Sequence, residues 1–201
     1  MKILSLMIPD PITIGASATI VEAIELMKVN SIRHLPVVEG DNILVGFATL
    51  ADLKQALIPA MMGDIDLKDI IIRKPVTVRP EDDIEIAAQL IYKHKIGGMP
   101  VVTGKKLVGI ITATDILRAF IDMMGILTAS SRIDVVVEDK PAVFQRVLEI
   151  ITQNGGEIIN VGMTSRKNDQ KEYYFRLSAC RTAAIKASLE REGIKVINAL
   201  D

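Results

Sequence analysis

The period of the apolar positions changes along the chain, and it changes twice in the same order. Residues 4–8 and 67–72 are short apolar pieces, and residues 12–14 and 76–78, each behind a proline, read as short strands. Ile20, Ala23, Ile24 and Met27 then fall at i, i+3, i+4 and i+7, the spacing of one helix face, and Ile84, Ala87, Ala88 and Ile91 repeat it. Ser17 is expected to cap the first of these helices, and Pro80, Glu81, Asp82 and Asp83 to give the second an acidic first turn. Two hairpins follow, residues 35–38 with 43–48 and residues 99–102 with 107–111. Gly40, Asp41 and Asn42 turn the first and Gly104 the second.

Each hairpin runs into a helix through the same corner. Gly46, Thr49 and Asp52 form it once, and Gly109, Thr112 and Asp115 form it again. In both, the threonine stands at the helix N-cap and the aspartate in the first turn. A shift of 64 places Pro11 on Pro75, Thr13 on Thr77, Ile32 on Ile96 and Pro36 on Pro100. One residue drops out of the following turn, and the match covers more than fifty positions. The pattern predicts residues 1–62 and 63–125 as duplicate β-α-β-β-α units of an α/β (α+β) fold. A three-stranded sheet is small to stand alone, so the copies are expected to pack sheet to sheet.

The period changes again after a connector over 126–132. Residues 133–137 read as a strand, and a helix starts at Asp139, Lys140 and Pro141 and carries Val143, Val147, Ile150 and Ile151 on one face. Gly155 and Gly156 end it. A strand over 157–164, a polar turn over 166–170 and a strand over 171–178 follow. A helix capped by Thr182 and a strand over 194–199 close the order βαββαβ, which is ferredoxin-like, across 133–201.

Composition narrows the function. The chain is 49% hydrophobic and 3% aromatic, without Trp, so the core is built from aliphatic residues and Met. A net charge of −1, with no basic run interleaved with aromatics, argues against a nucleic-acid partner. No stretch approaches the roughly 20 apolar residues of a membrane span. The first residues lack the apolar core of a signal peptide. The single Cys180 precludes an internal disulfide framework and points to a reducing compartment, with a quiet thiol rather than a nucleophile. A cytoplasmic protein without a resident cofactor or metal is expected. No Walker loop, HExxH, GxSxG or Cys-His metal spacing occurs, so no enzyme activity is expected.

The duplicated proline-strand-helix start, the strands Leu35-Pro36-Val37-Val38 and Met99-Pro100-Val101-Val102, and the two Gly-x-x-Thr-x-x-Asp corners resemble a tandem pair of CBS domains over about residues 1–125. The segment from Val136 to Pro141 resembles the first strand and turn of an ACT domain, with Ala142 where that family usually has glycine. The order CBS, CBS, ACT is similar to the acetoin-utilisation accessory proteins of bacteria. These resemblances imply a regulatory protein that binds AMP, ADP, ATP or a related adenosyl ligand, with magnesium only as a companion of ATP. They imply a homodimer and a regulated partner protein. The ACT-like domain would dimerise or sense a second effector.

The same resemblance assigns residues. Asp52 and Asp115 would hold ribose. Thr49, Thr112 and Thr114 would lie near ribose or phosphate. Thr13 and Thr77 would flank adenine. Arg33 and His34 would meet phosphate, a role the second repeat replaces with Gly97 and Gly98. Pro36, Gly98, Met99 and Pro100 complete the two sets, and the clefts are expected to be unequal. Two other readings stand beside this one. Thr-x-x-Asp is close to a capping box with a purely structural role, and the whole chain then serves as a ligand-free oligomerisation scaffold. Arg33 and His34 read equally well as a solvated loop pair, and His94 as a cation placed at a helix end.

Overall fold

The computed structural model describes residues 1–61, 65–128, 130–138, 140–165 and 170–201, with side chains of residues 58–61 excepted. It comprises two units, Met1–Leu117 and Arg118–Asp201. The polar turn expected over 166–170, apart from Gln170, and the helix start at Asp139 lie outside the described residues.

In the first unit the elements run β1 (Ile8–Pro9), β2 (Ile14–Gly15), α1 (Ile20–Val29), β3 (His34–Glu39), β4 (Ile43–Thr49) and α2 (Leu50–Met61). The second round is α3 (Leu67–Ile70), α4 (Ile84–His94), β5 (Gly98–Thr103), β6 (Lys106–Thr112) and the start of α5 (Ala113–Met123). Both hairpins and both helix faces form as the apolar spacing predicts. Ile20, Ala23 and Met27 are buried on α1, and Ile84 and Ala87 on α4. The caps differ from expectation. Thr19, not Ser17, caps α1, because Glu22 lies three residues on and closes a reciprocal capping box. The acidic run before α4 precedes the helix. Asp82 accepts from the Arg79 amide, Asp83 pairs with Lys2, and Glu85 is the acidic residue of the first turn.

The repeats are not stacked as two separate sheets. They share one six-stranded sheet, joined where Ile43 of β4 pairs with Lys106 of β6. Their opening segments are also exchanged. Ile8 and Pro9 of the first repeat pair with Ile110 and Gly109 of the second, while Ile72 of the second pairs with Phe47 of the first. The Ile3 and Leu4 amides donate to the carbonyls of Asp82 and Pro80, at 2.9 Å each, and Leu67 is buried in the core of the first repeat. The glycine of each corner permits this. A Cβ on Gly46 would stand 2.6 Å from Ile71 Cδ1, and one on Gly109 would stand 2.6 Å from Met7 Sδ and 3.1 Å from the Ile8 carbonyl oxygen. The motif glycine is therefore a close-approach position for the segment arriving from the other repeat.

The second unit holds β7 (Ser130–Glu138), α6 (Pro141–Gln153), β8 (Ile158–Ser165), β9 (Gln170–Ser178), α7 (Ala183–Arg191) and β10 (Lys195–Leu200). The sheet order β10-β7-β9-β8 is antiparallel throughout. Tyr173, Phe175 and Leu177 face the helices with Ile133, Val135, Val147 and Ile151, whereas Tyr174 and Arg176 lie on the opposite face. The first strand starts at Ser130, inside the expected connector, because it pairs with β9 as far as Ser178. Thr182 occupies the N-cap position of α7 without capping it. Its hydroxyl and amide both donate to the Asp201 carboxylate, at 2.7 Å each.

Candidate functional site

The two corners have closely similar geometry. Thr49 Oγ1 donates to Asp52 Oδ2 at 2.5 Å and accepts from the Asp52 amide at 3.3 Å. Thr112 Oγ1 donates to Asp115 Oδ2 at 2.6 Å and accepts from the Asp115 amide at 3.3 Å. The Thr112 amide also donates to that carboxylate, at 2.8 Å. The Thr112–Asp115 pair is a capping box with aspartate in place of glutamate, whereas the Thr49–Asp52 pair makes the hydroxyl bonds alone. The first helical amides are held as well: Leu50 N–H donates to the Arg33 carbonyl and Ala113 N–H to the Gly97 carbonyl, both at 2.9 Å. Among the described residues, Oδ1 of each aspartate has no protein donor. Each corner thus keeps one carboxylate oxygen able to accept a further hydrogen bond, beside the positive end of a helix.

Strand register gathers the other predicted residues around each corner. His34 lies opposite Thr49, and Pro36 opposite Phe47. Gly98 lies opposite Thr112, Met99 opposite Ile111, and Pro100 opposite Ile110. Ile14 runs parallel beside Val37, which brings half-buried Thr13 alongside Pro36. The Val78 amide donates to the Pro100 carbonyl at 3.2 Å, which brings Thr77 alongside the second set. Asp52 and Asp115 are half-buried, whereas Thr77 and Thr114 are exposed. Met99 is fully buried, so it serves the core and offers a ligand only its backbone.

Arg33 and His34 part company. His34 turns inward and stacks on Phe47, with ring centroids 5.9 Å apart. Its ring fills the space a side chain would need at Gly97, where a Cβ would stand 2.7 Å from His34 Nε2. Gly97 is the position equivalent to Arg33, so the missing cation of the second cleft has a steric cause in the first repeat. Burial, and secondarily the Arg33 charge, push the His34 imidazole below its ordinary value and favour the neutral ring. Arg33 is exposed and lines a cavity of about 360 Å³ together with Lys28 and Lys54. Ile24, Met27, Ile32 and Leu50 complete its apolar wall, and neither Thr49 nor Asp52 borders it. The Gly97 contact could not be read from the sequence, because it joins residues 63 positions apart. The only signal was the Arg33-to-Gly97 replacement between repeats.

In the second unit, Arg132 pairs with buried Asp134 at 2.7 Å and covers the Tyr174 ring, while Arg176 donates to Ser130 Oγ. The cavity beside this cluster is about 30 Å³, room for about one water. Among the described residues no group of three or more His, Cys, Asp or Glu side chains is placed to hold a metal, and no helix is long and apolar enough to cross a membrane.

Comparison with known proteins agrees with the duplicated architecture. The CBS domain model matches residues 3–59 and 67–122. The CBS domain pair of protein MJ0100, in complex with 5′-methylthioadenosine and S-adenosyl-L-methionine, shares 30% identity at a TM-score of 0.55, over 60% of this chain and 95% of that one. An AcuB protein of Vibrio cholerae, assigned to acetoin utilization, shares 30% identity at a TM-score of 0.57, over 63% of this chain and 94% of its own. CBSX2 in complex with AMP shares 25% identity at a TM-score of 0.54, over 60% of this chain and 96% of its own. In sequence, a homoserine O-acetyltransferase of Methanohalobium evestigatum is 35% identical over 114 residues, and an inosine-5′-monophosphate dehydrogenase of Korarchaeum cryptofilum 35% over 113. The match takes 56% of this chain in both cases but only 23% of each of those two proteins. With more than half of its residues matched by the family model in two consecutive copies, this chain belongs to the CBS-domain family.

Proposed function

We propose that the chain is a non-catalytic sensor of an adenine nucleotide or related adenosyl ligand. The ligand is held at the duplicated corners, and its binding is passed to a partner protein. One observation carries this reading: each corner presents, at the start of a helix, an aspartate oxygen without a donor among the described residues, beside the strand that carries Pro36 or Pro100. Ribose hydroxyls suit the free oxygen, as acidic residues do in dinucleotide folds, and the helix end suits phosphate. The MTA and S-adenosylmethionine complex of one similar pair and the AMP complex of another support the ligand class. In this reading Asp52 and Asp115 hold ribose, with Thr49, Thr112 and Thr114 nearby, and the Thr13 and Thr77 segments flank the base. The ferredoxin-like unit, ACT-like in its opening strand and turn, dimerises the cytoplasmic chain or takes a second effector.

Calorimetric titration with AMP and ATP tests it. The wild type is expected to release or absorb heat, and Asp52→Ala combined with Asp115→Ala to abolish it. No heat at millimolar nucleotide, or an unchanged isotherm in the double variant, defeats the proposal. One observation favours a second reading, a ligand-free scaffold: both carboxylates already accept from the threonine of their own corner, and the 360 Å³ cavity excludes them. A melting temperature indifferent to every adenosyl ligand would select the scaffold, since a ligand bound to the native state must stabilise it.

A further inference from the structure

The cavity beside Arg33 is a separate site. On α2, Asp52 lies two residues from both Leu50 and Lys54, about 200° around the helix from each. Leu50 and Lys54 line the cavity and Asp52 does not. The cavity therefore opens on the flank of α2 away from the ribose position, between the end of α1 and the start of α2. Its volume of about 360 Å³ is at the small end of ligand pockets. Four aliphatic or thioether side chains form its wall, and one of them, Met27, is fully buried. Lys28, Arg33 and Lys54 surround this wall and no carboxylate lines it, and none of the three cations is in an ion pair among the described residues. Lys28 stands in the last turn of α1, where the helix dipole already favours a cation. Lys54 lies in the second turn of α2, where the dipole gives a cation no such reason to be.

We propose that this cavity binds a compact organic anion, a carboxylate or phosphate ester with a short apolar body. The body lies against Ile24, Ile32 and Leu50, with the fully buried Met27 behind them. The anionic head is held by Arg33 and Lys54, Arg33 offering the forked donor geometry. The proposal uses neither aspartate, and it turns Arg33 to this cavity instead of to the nucleotide phosphate that the family resemblance assigns to it.

The test uses the full chain and three probes: hexanoate, which has head and body; 1-hexanol, which has the body alone; and inorganic phosphate, which has a head alone. Binding is followed by NMR shifts of the Ile24, Met27 and Leu50 methyl groups. Hexanoate is expected to move these signals at millimolar concentration, and the two fragments to bind at least about tenfold more weakly. Arg33→Glu with Lys54→Glu should weaken hexanoate about tenfold or more. Both positions are exposed, so the melting temperature without probe is expected to stay close to wild type, and Lys54→Gln offers a milder second variant. Asp52→Ala with Asp115→Ala should leave hexanoate binding unchanged. Absence of methyl shifts, equal binding of hexanol and hexanoate, or indifference to both charge variants overturns the proposal. So does loss of hexanoate binding in the aspartate variant, which would merge this cavity with the nucleotide cleft.

Discussion

Gly97→Ala is the sharpest probe of how the two repeats depend on each other. The added Cβ would stand 2.7 Å from His34 Nε2 and 3.0 Å from Cε1, where ordinary contact begins at 3.4 Å. The imidazole would have to retreat by about 0.7 Å, the difference between those distances, and Phe47 stacks on it. Overpacking of this kind costs about 1–3 kcal/mol. Gly97 does not have a left-handed backbone, so alanine also recovers about 0.4–1 kcal/mol by restricting the unfolded chain. The net loss is about 1–2 kcal/mol, which lowers Tm by roughly 4–10 °C in a unit of this size. In a His34→Ala background the obstruction is gone and only the unfolded-state gain remains, so the same substitution should be neutral or stabilising. Urea and thermal melts of wild type, both single variants and the double variant form the cycle. If Gly97→Ala has the same effect with and without the imidazole, the interlock between the repeats is refuted.

Other consequences are testable on the same footing. The folded state disfavours the His34 proton and the unfolded state takes it near pH 6.5, so this residue's contribution to stability falls as pH drops through about 6.5 and levels off below its folded value. The difference in urea midpoint between wild type and His34→Gln, followed from pH 8 to 5, should narrow on that descent, and a constant difference would count against it. Thr112→Ala removes the hydroxyl that both donates to Asp115 and caps its amide, and should cost about 1 kcal/mol in urea unfolding. Gly109→Ala sets a Cβ against the Ile8 backbone carbonyl and Met7, and should cost about 1–3 kcal/mol. Full tolerance there would mean the opening segments are not exchanged as described.

Much of this protein is local, and local structure is legible in sequence. The helix faces of α1 and α4, the two hairpins, the Thr-x-x-Asp corners and the βαββαβ order all follow from side-chain period, turn residues and duplication, each set within a few positions of the chain. Caps were harder to read, because several polar residues compete for one place. Thr19 displaced Ser17 through Glu22, and Asp201 reached Thr182 from 19 positions away. Three features were decided by tertiary structure alone: the exchange of opening segments, the single shared sheet, and the His34 ring in the space over Gly97. Each depends on residues between 25 and 102 positions apart, and a pattern repeated along a chain records what each copy is without recording which copy it touches. A duplicated sequence pairs equally well within a repeat or across repeats until side-chain volume chooses. Here Gly46, Gly97 and Gly109, by leaving room, make that choice.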